Sequence, residues 1–75
     1  MTLSISRAAA ASLAELAPGV RRAAAYAILA LLDDPHGPGT ARMTNHPYWY
    51  KDAAGARIVY AESPGAVKIV EIGLK

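Results

Sequence analysis

Three stretches gather the side chains with chemical potential. "HPYWYKD" (46–52) sets His46, Tyr48, Trp49, Tyr50 and Lys51 in one run, "ARIVYAE" (56–62) carries Arg57 and Tyr60, and "AVKIVEIGLK" (66–75) carries Lys68 and Lys75. Arg42 stands just ahead of them. Aromatic rings interleaved with cations suit a surface for single-stranded RNA, because bases stack on rings while guanidinium and ammonium groups hold phosphates. Strand geometry limits how many can act together. Successive side chains point to opposite faces, so Tyr48 and Tyr50 share one face, Trp49 and Lys51 take the other, and Ile58 with Tyr60 are expected in the core. Arg57 opens an otherwise apolar run two residues past Gly55. Composition and spacing leave three readings for it: the centre of a site, a solvated charge, or half of a cross-strand pair with Asp52 or Glu62.

Other chemistries lack their residues. His36 and His46 are ten positions apart, without the helical or tight-loop spacing of a metal site, so no metal and no cofactor is expected. There is no glycine-rich phosphate loop, no cysteine and no serine elbow. A formal charge of +2 leans mildly towards acidic partners such as nucleic acid or an acidic peptide. Seventy-five residues make a single domain, 1–75, whose small core has no disulfide to support it. Such a fold is expected to lean on a partner. The lack of cysteine suits a reducing cytosol. The alanine run after Arg7 is interrupted by Ser12 and Glu15 and has no cleavage-like end. The apolar run from Ala23 to Leu32 is far shorter than the roughly 20 residues of a spanning helix. The expectation is a cytoplasmic protein with no membrane contact.

The elements that must position these residues follow from the periodicities. "TLSIS" (2–6) alternates apolar and hydroxyl residues, as a short strand does. Ser6 is placed to cap a helix over residues 7–16, with Ala9, Leu13 and Leu16 on one face. Pro18 opens a second helix that Pro35 bounds, and the short joint between them predicts antiparallel contact. Arg21 and Arg22 at the start of this helix, and Asp33 and Asp34 at its end, all oppose the helix dipole. They are expected to be solvated, to pair with Glu15, or to await an acidic partner. "PHGPGT" (35–40) reads as a loop, and residues 47–52, 56–62 and 66–73 as three strands of an antiparallel meander. "AAG" and "SPG" are its turns, the second a type II turn through Pro64 and Gly65. The fold class is therefore α+β: an N-terminal strand and helical hairpin packed on an antiparallel meander, in the order β-α-α-β-β-β.

The ordered wording of these elements resembles the RelE/ParE toxin superfamily of bacterial type II toxin-antitoxin systems. The marks are Leu32, Asp34 and Pro35 closing the hairpin, Gly55, then Arg57, Ile58, Val59 and Tyr60, then Val70, Ile72 and Gly73. The resemblance covers almost the whole chain. It implies a microbial-RNase-like fold, a cognate antitoxin as partner, and one of two targets. RelE-like members cut mRNA on the ribosome, and ParE-like members inhibit DNA gyrase without catalysis. "PYWYKD", with Trp49, is similar to the YoeB-type subgroup and favours the mRNA endoribonuclease, with ribosome and mRNA as partners. The resemblance assigns Arg57 to phosphate stabilisation. Lys51 lies close to the family's basic strand, although Tyr48 and Tyr50 stand where many members have lysine, and Lys75 falls where the last strand offers an arginine. Many active members carry a further acid or base beyond this strand, and His46 is the candidate substitute. Arg42, Tyr48, Trp49, Tyr50 and Lys68 are expected to contact RNA, and Arg21 and Arg22 the antitoxin. The alternatives are a gyrase inhibitor, a non-toxic member that keeps antitoxin binding, and a peptide-binding or dimerising module.

Overall fold

The computed structural model describes residues 2–75 and orders them as β1 (Thr2–Ile5), α1 (Arg7–Glu15), α2 (Pro18–Asp33), β2 (Thr40–Arg42), β3 (Trp49–Ala53), β4 (Ala56–Ser63) and β5 (Ala66–Leu74). The strands form one sheet in the order β1-β5-β4-β3-β2. The meander β2 to β5 is antiparallel, and β1 joins β5 in parallel, so the sheet is mixed. The α+β architecture expected from the periodicities is present. Its one addition is β2, which begins at Thr40 at the end of the proline- and glycine-rich loop. Three residues hold no strand signal by themselves, and it is pairing with β3, Thr40 opposite Lys51 and Arg42 opposite Trp49, that makes this segment a strand.

Both helices cover one face of the sheet. Helix α1 packs on β5 and α2 on β3 and β4, while the helices meet each other only lightly. The core between them consists of Ala9, Ala24, Ala27, Ile28 and Leu31 from the helices, with Ile58, Tyr60, Val67, Ile69 and Ile72 from the sheet. Leu3, Leu13, Leu16, Trp49 and Ala53 close its margin. Alanine on the buried helix stripes lets backbone approach the sheet closely, so a short chain can still exclude water from Tyr60 and Ile58, both fully buried.

Ser6 ties helix to sheet. Its Oγ accepts the Ala9 N–H at 3.0 Å, capping α1, and donates to the Val70 carbonyl at 3.0 Å. Val70 is the extra residue of a β-bulge: Val59 lies opposite Glu71 and Tyr60 opposite Ile69. The bulge reverses the alternation of β5. Val67 and Ile69 face the helices from odd positions and Ile72 from an even one, which leaves Lys68, Glu71 and Gly73 on the opposite, helix-free face.

Two phrases of the sequence meet in the core. The Tyr60 hydroxyl donates to the Pro35 carbonyl, joining the end of the helical hairpin to the centre of β4. Asp34 shapes the approach, its Oδ1 accepting the His36 N–H at 3.0 Å. His36 then stacks on Trp49 with ring centroids 4.4 Å apart, and its Nε2 lies 2.9 Å from Glu62. The arginine that opposes the dipole of α2 has a local use as well. Arg21 Nη1 donates to the Ala14 carbonyl at 3.2 Å, at the end of α1 where a cation is favoured. Of the outcomes left open for these arginines, pairing with Glu15 is not the one Arg21 takes, and both Arg21 and Arg22 remain exposed.

Candidate functional site

The helix-free face of the sheet gathers part of the expected set. Tyr48 and Tyr50 precede and enter β3 on this face, Arg57 and Val59 lie on it from β4, and Lys68 and Glu71 from β5. A groove runs across it. One end is an open hollow of about 400 Å³ whose walls include Met43, His46, Tyr48, Val59 and Glu71, with Ala8 at the start of α1 closing its rim. The other is a smaller hollow of about 210 Å³ bounded by Met43, Arg57, Val59, Glu71 and Gly73. Met43, Val59 and Glu71 line both, so Glu71 stands at the junction with His46 to one side and Arg57 to the other.

Arg57 is held on two sides. Its Nε donates to Asp52 Oδ1 at 2.8 Å and its Nη2 to Asp52 Oδ2 at 3.1 Å, a fork-on-fork pair between residues directly opposite on β3 and β4. The guanidinium carbon lies 4.1 Å from the centroid of the Tyr50 ring, in cation–π contact. Lys75 Nζ also reaches Asp52 Oδ2, at 3.2 Å, and the Lys75 N–H donates to the Gly55 carbonyl at 2.7 Å, which extends the β4–β5 ladder to that residue. The hydrogen bond from Arg57 is the main cause holding the Asp52 carboxyl below the usual aspartate range, with Lys75 adding to it against the cost of burial. The same pair raises Arg57 above its ordinary value. Arg57 therefore makes the cross-strand contact with Asp52, while Glu62 goes to His36.

The remaining expected residues lie elsewhere. Lys51 is opposite Ile58 and Trp49 opposite Tyr60, so both point to the helix side, as alternation requires. Arg42 follows Trp49 there, its guanidinium 5.9 Å from the indole centroid. These three are separated from Arg57 by the thickness of the sheet. Arg21 and Arg22 lie exposed at the start of α2, within the helix layer and away from the groove. Between β1, α1 and α2 opens a wholly apolar groove of about 290 Å³, lined by Leu3, Ile5, Leu13, Ile28, Leu29 and others. Among the described residues no group of three or more His, Cys, Asp or Glu side chains comes together as a metal site, and no helix is long and apolar enough to cross a membrane.

Glu71 is the groove residue that the sequence reading passed over. Strict alternation along β5 assigns it to the core face beside Val67 and Ile69. A carboxylate in phase with core residues, followed by Ile72 out of phase, is the signature of the bulge and could have revealed it.

No family model matches this sequence, and no curated protein matches it either. Solved structures do match. A chain of the RelBE2 toxin-antitoxin complex from Mycobacterium tuberculosis superimposes with a TM-score of 0.82 at 16% identity, over 99% of this chain and 96% of that one. The isolated E. coli RelE toxin gives 0.82 at 17% identity, over 97% of this chain and 82% of that one. The YoeB/ParE toxin from Agrobacterium tumefaciens gives 0.81 at 15% identity, over 100% and 99%. The fold is thereby defined as that of small α+β toxins of the RelE/ParE type. At these identities the likeness is one of backbone architecture, and what the groove does must come from its own residues.

Proposed function

We propose that this protein is the toxin of a type II toxin-antitoxin pair and a ribosome-dependent mRNA endoribonuclease that acts in the cytoplasm. The observation that carries the reading is the groove itself: an arginine with a free edge, fixed against an aromatic ring, with a histidine and a carboxylate along the same channel. Cleavage by the neighbouring 2′-hydroxyl forms a bond from the 2′-oxygen to phosphorus and breaks the bond to the 5′-oxygen. The products are a 2′,3′-cyclic phosphate and a free 5′-hydroxyl. The 2′-hydroxyl must lose a proton, the 5′-oxygen must gain one, and negative charge grows on the phosphorane between them. In this reading Arg57 and Lys75 stabilise that charge. His46 and Glu71 flank the phosphorus position and move the two protons. Tyr48 and Tyr50 offer rings to the bases, and Lys68 holds the backbone further along β5. Arg42, Trp49 and Lys51 would contact RNA or ribosome only around the sheet edge.

The partner is a cognate antitoxin, a reading supported by the toxin-antitoxin complexes among the structures of the same fold. Arg21 and Arg22 would meet its acidic residues. The apolar groove beside β1, where Ile5 and Leu29 remain exposed, would take its apolar side chains.

The test uses purified protein with a defined message, with and without translating ribosomes. Wild type is expected to cut within codons only on the ribosome, and Arg57→Ala to cut about a hundredfold more slowly. The second reading, gyrase inhibition, is favoured by the carboxylate that already occupies one fork of Arg57. Loss of gyrase supercoiling activity with no RNA cut would select it.

A further inference from the structure

An arginine offers two forks to planar acceptors: the side edge formed by Nε and Nη2, and the outer edge formed by Nη1 and Nη2. Asp52 occupies the side edge of Arg57 at 2.8 and 3.1 Å. Among the described residues nothing accepts from Nη1, and the Arg57 side chain, 38% exposed, lines the groove. Lys75 Nζ meets the same Asp52 oxygen as Arg57 Nη2, which brings an ammonium beside the free edge with its remaining N–H groups unassigned. The Tyr50 ring lies against one face of the guanidinium, 4.1 Å from ring centroid to guanidinium carbon, and covers it on that side.

We propose that Asp52 is a positioning residue for phosphate recognition, fixing the outer edge of Arg57 and the ammonium of Lys75 side by side so that one backbone phosphate is met by both. The inference rests on the RNA-cleaving reading but goes beyond it. It assigns a role to an acidic residue that a simple account of electrostatics would count as harmful in an anion site. Two opposed consequences follow for loss of the carboxylate. If Asp52 positions, its removal frees two long side chains and the ordering cost returns at binding, despite the gain in positive charge. If Asp52 merely masks the cations, its removal strengthens binding.

The experiment, run on ribosomes programmed with a defined message, compares wild type and Asp52→Asn for cleavage and, separately, for binding to the same ribosomes when the scissile nucleotide of the message is 2′-deoxy and cannot react. Positioning predicts that Asp52→Asn weakens binding about fivefold and lowers kcat on the order of ten- to a hundredfold, with melting close to wild type. Unchanged or tighter binding would overturn the proposal. The binding arm also separates this inference from the reading beneath it. A wild type that binds the programmed ribosome but cuts no message refutes the nuclease, while the comparison of affinities still decides the role of Asp52. A wild type that does not bind the programmed ribosome refutes both. Should Asp52→Asn not fold, Asp52→Glu serves instead: it keeps the charge but shifts the fork by one methylene. Weakened binding supports positioning, and wild-type affinity contradicts it.

Discussion

Tyr60 shows how one side chain can serve the core while its strand neighbours Arg57 and Val59 face the groove on the other side of the sheet. It is fully buried, and its hydroxyl donates to the Pro35 carbonyl. Burial is the first cause raising its pKa above the ordinary tyrosine value. The folded state thus favours the neutral phenol, and the associated stability is complete below the unfolded pKa and is lost as pH rises through the folded one. Chemical denaturation should show stability falling above about pH 10, with the fall much reduced in Tyr60→Phe. At neutral pH the same variant, which leaves the Pro35 carbonyl without its donor, should lose about 1 kcal/mol. At this scale the sequence was informative about which residues are buried and less so about what they touch. Tyr60 was expected in the core, but its partner lies 25 positions away across the hairpin, and no local pattern encodes that contact.

The turns and strands divide in the same way. The β4–β5 connection follows its chemistry, with Gly65 at φ +78° behind Pro64, as a type II turn requires. The β3–β4 connection puts both Ala54, at φ +51°, and Gly55, at φ +90°, in the left-handed region. That is the two-residue turn whose twist matches a hairpin, and alanine is a poor choice for its first position. Ala54→Asn, which tolerates this conformation, should stabilise the domain by about 1 kcal/mol, seen as a rise in Tm of about 4 to 8 °C. A lower Tm would show that this turn is not held as described. The helices, the three long strands and the Ser6 cap were legible because each has its own periodicity or terminator. Strand β2 and the bulge at Val70 were not, because both arise from pairing with a neighbour. The bulge matters most for the site: by reversing β5 it delivers Glu71 to the groove, and without it the carboxylate would point at α1.

On the scale of the molecule, the sheet separates two surfaces. The helix-free face carries the groove with Arg57, and the helix side carries the apolar cleft beside β1 and the exposed Arg21 and Arg22. A small core with Ile5, Tyr26 and Leu29 exposed suits a chain that is covered by a partner. On the proposed function, Arg21→Glu with Arg22→Glu should weaken antitoxin affinity by at least about tenfold, mainly through faster dissociation, while ribosome-dependent RNA cleavage by the antitoxin-free protein is unchanged. Calorimetry with the cognate antitoxin measures the first and the ribosome assay the second. Undiminished affinity would remove these arginines from the interface. The two-face division was partly readable in advance, since alternation separated Tyr48 and Tyr50 from Trp49 and Lys51. Which face the helices would cover was settled by Ile58 and Tyr60, whose apolar burial outweighs the cations beside them.

The most direct test of the proposal that the groove cleaves RNA is induced expression in bacterial cells of wild type beside Arg57→Ala, with mapping of mRNA 5′ ends on translated and untranslated messages. The account predicts new 5′-hydroxyl ends within codons of translated messages, absent from untranslated ones and lost in the variant. Growth arrest without new ends, or new ends that persist in Arg57→Ala, would contradict it.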